Sequence, residues 1–468
     1  MIDPAVAAAD ALLLQAGLAV DEVRAWRNAA PRGVADYATD CARYTLFWQA
    51  GHALRARLPE KPKRNSQESA AADEIQRQVR EARRRFLEAH TDAVYERLTG
   101  GRSRFVRVEN LVYDAADLLP GLTPTRQQVE TESQRVQRDK DGLEIDQGVF
   151  LQHMLASPLA GRHLCHAMLL PRAEALAYLP ELSRAGRVDL GQALVEREGR
   201  ASQVFLKNPR YLNAEDANTI DATEIAVDLA ILDPLSEIAV LRGDYVEHPR
   251  YKGRRVLGSG INLTHLYYGK VPYIWYLQRE LGFVNKFYRG VARPDIAPDE
   301  VLGDSIEKPW VAVVEAFAIG GHCQYLLAMD YVVAADDAFL TLPARKEGII
   351  PGAANLRLPR FTGDRIARQA IMYQRRIECD SPEGRLICDE VVPQAQVDAA
   401  LARVIDNFTN SGVVSAASNR RAFRVAQEPL DLFRSYCAVY AREQAYCHFS
   451  PALIANLERH WNAQNRTM

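Results

Sequence analysis

The chain has no CxxC pair, no long hydrophobic run and no excess of either charge. Its seven cysteines are scattered over 468 residues, and their number is odd. Cys165–His166, with His163 nearby, and Cys447–His448 bring cysteine and histidine together, and neither has the ligand spacing of a zinc site. No metal and no disulfide framework is therefore expected, and scattered thiols fit a reducing, cytoplasmic compartment. The 58 basic and 60 acidic side chains leave a net charge of −2, which excludes a nucleic-acid or polyanion partner from the expectations. The opening stretch MIDPAVAAADALLLQAGLAV is apolar, but it lacks a basic flank, carries Asp3 and Asp10, and is too short to span a bilayer. It is expected to form an inward-packing helix, with no membrane partner.

What is present is ordinary globular composition, 48% hydrophobic and 25% charged, with length for two or three domains. Residues 1–187 read as a helical domain without a chemical motif. Ile75, Val79, Ala82 and Phe86 recur at helical spacing. Arg83, Arg84 and Arg85 are expected on a solvated face with Glu74, Glu81 and Glu88, and the polar stretch 123–142 is expected to be exposed.

The texture changes near residue 188. Strand candidates cover Ala201–Leu206, 238–244, 254–263, 310–321 and two short pieces within 331–343, with helices at Ile220–Leu232 and His322–Met329. Strands alternating with helices predict an α/β fold with crossover connections over 188–400. Residues 401–468 read as a helical region for packing or oligomerisation, in which Phe433, Tyr436, Tyr440 and Tyr446 are expected mainly in the core.

Two glycine turns carry the chemical signal. They are Gly258-Ser259-Gly260-Ile261-Asn262-Leu263 and Ala318-Ile319-Gly320-Gly321-His322-Cys323-Gln324. Each follows an apolar strand and precedes a helix. Glycine permits positive φ and close approach of backbone to ligand, and a helix start leaves N–H groups without partners. Two such groups aimed at one point form an oxyanion hole, although spacing alone favours two ordinary strand–helix turns.

Beyond the turns, the segments VFLKNPRYLNAED, VLRGD with VLGSGINL, the run from Pro309 to Pro343, EGIIPGAANLRLPRFTG and RLICDEVV occur in an order that resembles the crotonase (enoyl-CoA hydratase/isomerase) superfamily. The resemblance implies a crotonase-like ββα superhelix, here with a large N-terminal helical domain and C-terminal helices, assembled as a homotrimer or homohexamer. It implies that the N–H groups of Ile261 and Gly321 hold a thioester carbonyl oxygen as it becomes an enolate, with Gly260 and Gly320 beside them. Hydratases of this superfamily use two glutamates where this chain has Gln324 and Ala344, and neither replacement can act as a general base. Glu347 lies nearby in surroundings that read as structural, and His322 reads as a packed core histidine.

These departures, with the long N-terminal half and the GSGINLTHLY and GGHCQYLLAMDY runs, resemble a branch of cofactor-free oxygenases that supply dihydroxyphenylglycine for antibiotic biosynthesis. That branch takes (3,5-dihydroxyphenyl)acetyl-CoA and O2 to (3,5-dihydroxyphenyl)glyoxylate and CoA. The implied partners are a CoA thioester and O2, and no cofactor is expected. Glu215 and Arg279 are expected to bind the ring hydroxyls, Gln324 the peroxide or thioester, and Ile349 and Ile350, with Ile261, to form an apolar wall. A thioester hydrolase, isomerase or decarboxylase of the same superfamily, and a non-catalytic acyl-CoA-binding protein, are the alternatives.

Overall fold

The computed structural model describes residues 4–31, 35–296, 298, 299 and 301–468. Of the opening stretch, Pro4–Gln15 is helical, Leu13 and Leu18 are buried, and residues 1–3 lie outside the described residues. Helices continue to Ala173–Ala185, where Gly186 closes the last one with φ 69°.

The longest helix, Ser66–Thr99, begins in a reciprocal cap. Asn65 Oδ1 accepts from the Glu68 N–H at 2.9 Å and the Glu68 carboxylate accepts from the Asn65 N–H at 2.8 Å. Ile75, Val79, Ala82 and Phe86 are buried as their spacing predicts. Arg84 is solvated and pairs with Glu81 and Glu88, but Arg83 is not: it is 2% exposed, donates to the Gly121 carbonyl at 2.6 Å and pairs with Asp146 at 2.7 Å. The reason is that the helix Ile145–Ala156 covers this side and supplies the carboxylate.

The stretch 123–142 also departs from expectation, because Glu132, Gln137 and Lys140 are buried. Their polar ends satisfy backbone beneath them: Gln137 Nε2 donates to the His448 carbonyl and Lys140 Nζ to the Gly269 carbonyl, each at 2.8 Å.

The main sheet has seven strands in the order Arg187–Asp189, Ala193–Glu198, Ala201–Leu206, Ile238–Gly243, Trp310–Val314, Tyr331–Ala335 and Glu390–Val392. The first three pair antiparallel, and the rest run parallel from Ala201–Leu206 onward. Strands Ala201–Leu206, Ile238–Gly243 and Trp310–Val314 are buried at every position, as expected of parallel strands covered on both faces. The helix Ile220–Leu232 lies where its pattern places it.

The run 310–321 divides in two. Trp310–Val314 joins the main sheet, while Phe317–Ile319 pairs parallel with Phe339–Thr341 in a second, three-stranded sheet. The helix after it spans Gly321–Leu326. The expected strand over 254–263 forms no ladder. It makes single bridges at Tyr245–Arg255, Glu215–Ile261 and Gly258–Ala318, because the Asn213 amide takes the Val256 carbonyl and His322 takes the Gly260 N–H.

One contiguous apolar core runs from Leu13 to Ala463, joining the N-terminal helices, the sheet and the C-terminal helices. The helix Leu430–His448 returns to pack along Ile145–Ala156, and Pro451–Trp461 packs on the turn Ala344–Glu347. The first of these returns brings Tyr440 to the cavity beside the second glycine turn. No described helix is long and apolar enough to cross a membrane.

Candidate active site

The two glycine turns lie side by side. The Ile319 N–H donates to the Gly258 carbonyl at 3.0 Å, and the Gly260 N–H donates to His322 Nδ1 at 3.0 Å. The first turn is also stitched to the segment before it: Glu215 N–H donates to the Gly260 carbonyl at 2.8 Å and Asn262 N–H to the Glu215 carbonyl at 2.7 Å. Asp216 accepts from Asn262 Nδ2 at 2.9 Å and lies 3.0 Å from His265 Nδ1. Neither the Ile261 N–H nor the Gly321 N–H donates to any described residue, so both amides are left unpartnered at the turns.

Glycine is required at the second turn for two separate reasons. Gly320 has φ 56° and ψ −117°, a region in which a side chain is strained. At Gly321 the obstacle is space, since a Cβ there would meet Glu215 Oε2 at 1.8 Å and Arg279 Nη2 at 2.8 Å.

A buried charge cluster underlies the turns. Arg279, on the helix Ile274–Leu281, is 3% exposed. Its Nε donates to Glu215 Oε1 at 2.7 Å, Nη1 to Gln324 Oε1 at 2.9 Å and to Glu280, and Nη2 to the Gly321 carbonyl at 2.9 Å. Four of its five N–H donors are thus used, and one remains. The Tyr325 hydroxyl donates to the same oxygen of Glu215, while Glu215 Oε2 is buried without a hydrogen-bond partner and lies 4.0 Å from His322 Nδ1.

Burial pushes the Glu215 carboxyl up, but the charge of Arg279, then His322 and the hydrogen bonds, outweigh it and hold it below the ordinary range. Glu280 goes the other way: burial exceeds the attraction of Arg279 and Arg357, so its carboxyl is raised. Burial also pulls His322 down to about 4, against the opposing charge of Glu215, and its neutral Nδ1 is free to accept from Gly260. His322 is therefore a packed, positioning residue, in line with its sequence reading.

A cavity with about 400 Å³ of empty space, partly open to solvent, lies over this cluster. It brings together Glu215, Ile261, Arg279, Gly320, Gly321, Gln324, Ile349 and Ile350, all singled out in the sequence. Gly260 does not line it; its role is in the turn, bonded to His322. Ala344 lines it, so both positions where a hydratase would carry glutamate face the cavity with Gln324 and Ala344 instead.

Sequence reasoning missed Trp275, Tyr276, Glu280 and Tyr440 in this lining. Tyr276 and Glu280 flank Arg279 on one helix face at i, i+3 and i+4, a signal available once Arg279 is placed inward. Tyr440 follows Phe433, Tyr436 and Cys437 at helical spacing, and that helix closes the cavity as Gln444 Oε1 accepts from the Ile350 N–H at 2.8 Å. Among the described residues no group of three His, Cys, Asp or Glu side chains is arranged to hold a metal ion.

Residues 301–436 match the enoyl-CoA hydratase/isomerase family. Over 389 residues the chain is 46% identical to a (3,5-dihydroxyphenyl)acetyl-CoA 1,2-dioxygenase of Amycolatopsis orientalis, covering 83% of this chain and 88% of that protein. It is 26% identical over 243 residues to a carnitinyl-CoA dehydratase of Escherichia coli O157:H7, 51% of this chain and 83% of that one. A crystal structure of an enoyl-CoA hydratase from Mycobacterium avium subsp. paratuberculosis K-10 overlays on 57% of this chain and 98% of its own at 20% identity, with a TM-score of 0.47.

Proposed function

The chain belongs to the crotonase (enoyl-CoA hydratase/isomerase) superfamily, and from that premise we propose that it is an oxidoreductase, a dioxygenase that converts (3,5-dihydroxyphenyl)acetyl-CoA and O2 to (3,5-dihydroxyphenyl)glyoxylate and CoA. The observation that carries the reading is the pair of unpartnered amides, Ile261 and Gly321, at the edge of one cavity. Preorganised donors of this kind stabilise a developing oxyanion, and losing one typically costs about 3–4 kcal/mol of barrier.

The thioester carbonyl oxygen accepts from both amides. The α-carbon lies between that carbonyl and the ring, so its anion is delocalised over both. The carbanion passes one electron to O2, and recombination forms a peroxide on the α-carbon. The terminal peroxide oxygen attacks the thioester carbonyl and expels CoA, and loss of the second α-proton with O–O cleavage leaves the keto acid. In this reading the substrate does the work of a cofactor, and neither metal nor organic cofactor is needed.

The surroundings favour this chemistry. Ile261, Ile349 and Ile350 give the cavity an apolar wall, which keeps water from protonating the carbanion. Glu215 Oε2 has an unused acceptor site for one ring hydroxyl, and the remaining Arg279 N–H serves the other. The Gln324 carbonyl is held by Arg279, which leaves its amide nitrogen for the peroxide or thioester oxygen. A glutamine and an alanine in place of the hydratase glutamates remove the means of activating water. The same family resemblance supports assembly as a trimer or hexamer.

The test is an oxygen-electrode and thiol assay on chelator-treated protein with (3,5-dihydroxyphenyl)acetyl-CoA. One O2 consumed per CoA released is expected. Thiol without O2 uptake identifies a hydrolase, and neither signal identifies a binding protein.

A further inference from the structure

Three carboxylates line the cavity, and their surroundings differ. Glu215 is held by Arg279 and Tyr325. Glu280 accepts from Arg279 through Oε1 and from the Ala353 N–H through Oε2 at 3.2 Å. The carboxylate of Glu347, at the end of the turn Ala344–Glu347, has no hydrogen bond or ion pair with any described residue. It stands beside Ile349 and Ile350, facing the space that Ile261, Gly321 and Gln324 enclose.

Among the described residues no cation offsets its charge. Arg345, on the same turn, donates to the Met372 carbonyl at 3.3 Å, and Lys346 lies toward His460 on the last helix. Glu458 of that helix accepts from Tyr267. Across the cavity stand Tyr276, Tyr440 and the Glu215–Arg279–Glu280 cluster, in which the guanidinium is already committed. Burial alone pushes the Glu347 carboxyl up to about 7, near the point where a base is both ionised and strong at neutral pH. Glu215, held low, is by the same argument the weaker base.

We propose that Glu347 is the catalytic base of the first step, removing the α-proton of the thioester whose carbonyl oxygen the Ile261 and Gly321 amides hold. The inference rests on the acyl-CoA reading of the site. One Cα–H bond breaks, the proton goes to a Glu347 carboxylate oxygen, and the electron pair remains on the substrate as the enolate. No oxidant enters this step, so it can be observed without O2.

The experiment is anaerobic exchange of the α-hydrogens of (3,5-dihydroxyphenyl)acetyl-CoA in D2O, followed by mass spectrometry and corrected for the protein-free rate. The wild type is expected to exchange, with a rate that rises with pH through about 7 because the ionised carboxylate is the active form. Glu347→Gln should slow exchange about 100-fold or more while binding the thioester as the wild type does, and Glu347→Asp should recover part of the rate. Exchange by Glu347→Gln at the wild-type rate overturns the assignment and leaves the dioxygenase reading standing. Loss of thioester binding in both variants also overturns it, as the sign of a structural role. A wild type that neither exchanges nor consumes O2 removes both.

Discussion

Replacing Arg279 with methionine keeps most of the side-chain volume but removes the one positive charge between Glu215 and Glu280. The lost contacts are the donations to Glu215 at 2.7 Å, to Gln324 and the Gly321 carbonyl at 2.9 Å each, and to Glu280. Breaking a buried ion pair from one side typically costs about 3–5 kcal/mol, because the partner charge is left uncompensated. Here two carboxylates are left, so the upper part of that range is expected, against a total stability of about 5–15 kcal/mol for a folded protein.

The pH dependence has a definite sign. In the wild type Glu215 sits below its unfolded value, so its stabilisation is present above that value and lost as pH falls through the lower folded one. Without Arg279 the largest opposing charge is gone, and burial outweighs the remaining contacts of both carboxylates and raises them. Raised acids weaken the fold at high pH, and their penalty shrinks as they protonate. The deficit of Arg279→Met against the wild type should therefore be largest at pH 8 and smallest near pH 5. Urea unfolding followed by tryptophan fluorescence measures it, and Glu215→Gln combined with Arg279→Met should recover part of the loss at pH 8. A variant as stable as the wild type at pH 8, or a deficit that grows with acid, refutes the charge-cluster argument.

Gly321→Ala places a methyl group 1.8 Å from Glu215 Oε2, which must move, and O2-uptake kcat should fall on the order of 100-fold or more. A variant with wild-type kcat would show that the turn tolerates displacement of Glu215. His322 gives an acid limb to stability, since burial holds the folded ring near 4 against an ordinary 6.5. The stabilisation is complete above about 6.5 and is lost as pH falls toward 4. His322→Asn keeps an oxygen to accept from the Gly260 N–H and should flatten the fall in Tm across that window, as calorimetry will show. An unchanged acid limb contradicts the neutral, accepting role.

The parts of this molecule that sequence alone made legible are local. A strand, two glycines and a helix start fall within a dozen residues, and their chemistry follows from backbone conformation. The helix Ile220–Leu232 and the strand Ala201–Leu206 are likewise written in short-range pattern. The charge cluster is not, because its members come from Glu215, Arg279–Glu280 and Gln324 on separate elements. That four of the five Arg279 donors are spent on scaffolding, and that the Glu347 carboxylate has no partner, are facts about which side chains meet across the fold. Arg83 shows the same limit: nothing in its own helix tells that Asp146 is waiting behind it. The segment 254–263 looks like a strand because it is extended and apolar, yet its backbone groups are taken by Asn213 and His322.

Two main-chain hydrogens sharing one acceptor are tested most directly by a crystal structure of the protein with a non-reactive ether or amide analogue of an arylacetyl-CoA. The carbonyl oxygen of an amide analogue should lie 2.7–3.1 Å from both the Ile261 and Gly321 nitrogens, the range for an oxyanion-hole contact. A carbonyl bound elsewhere in the cavity, or touching only one of the two amides, contradicts it.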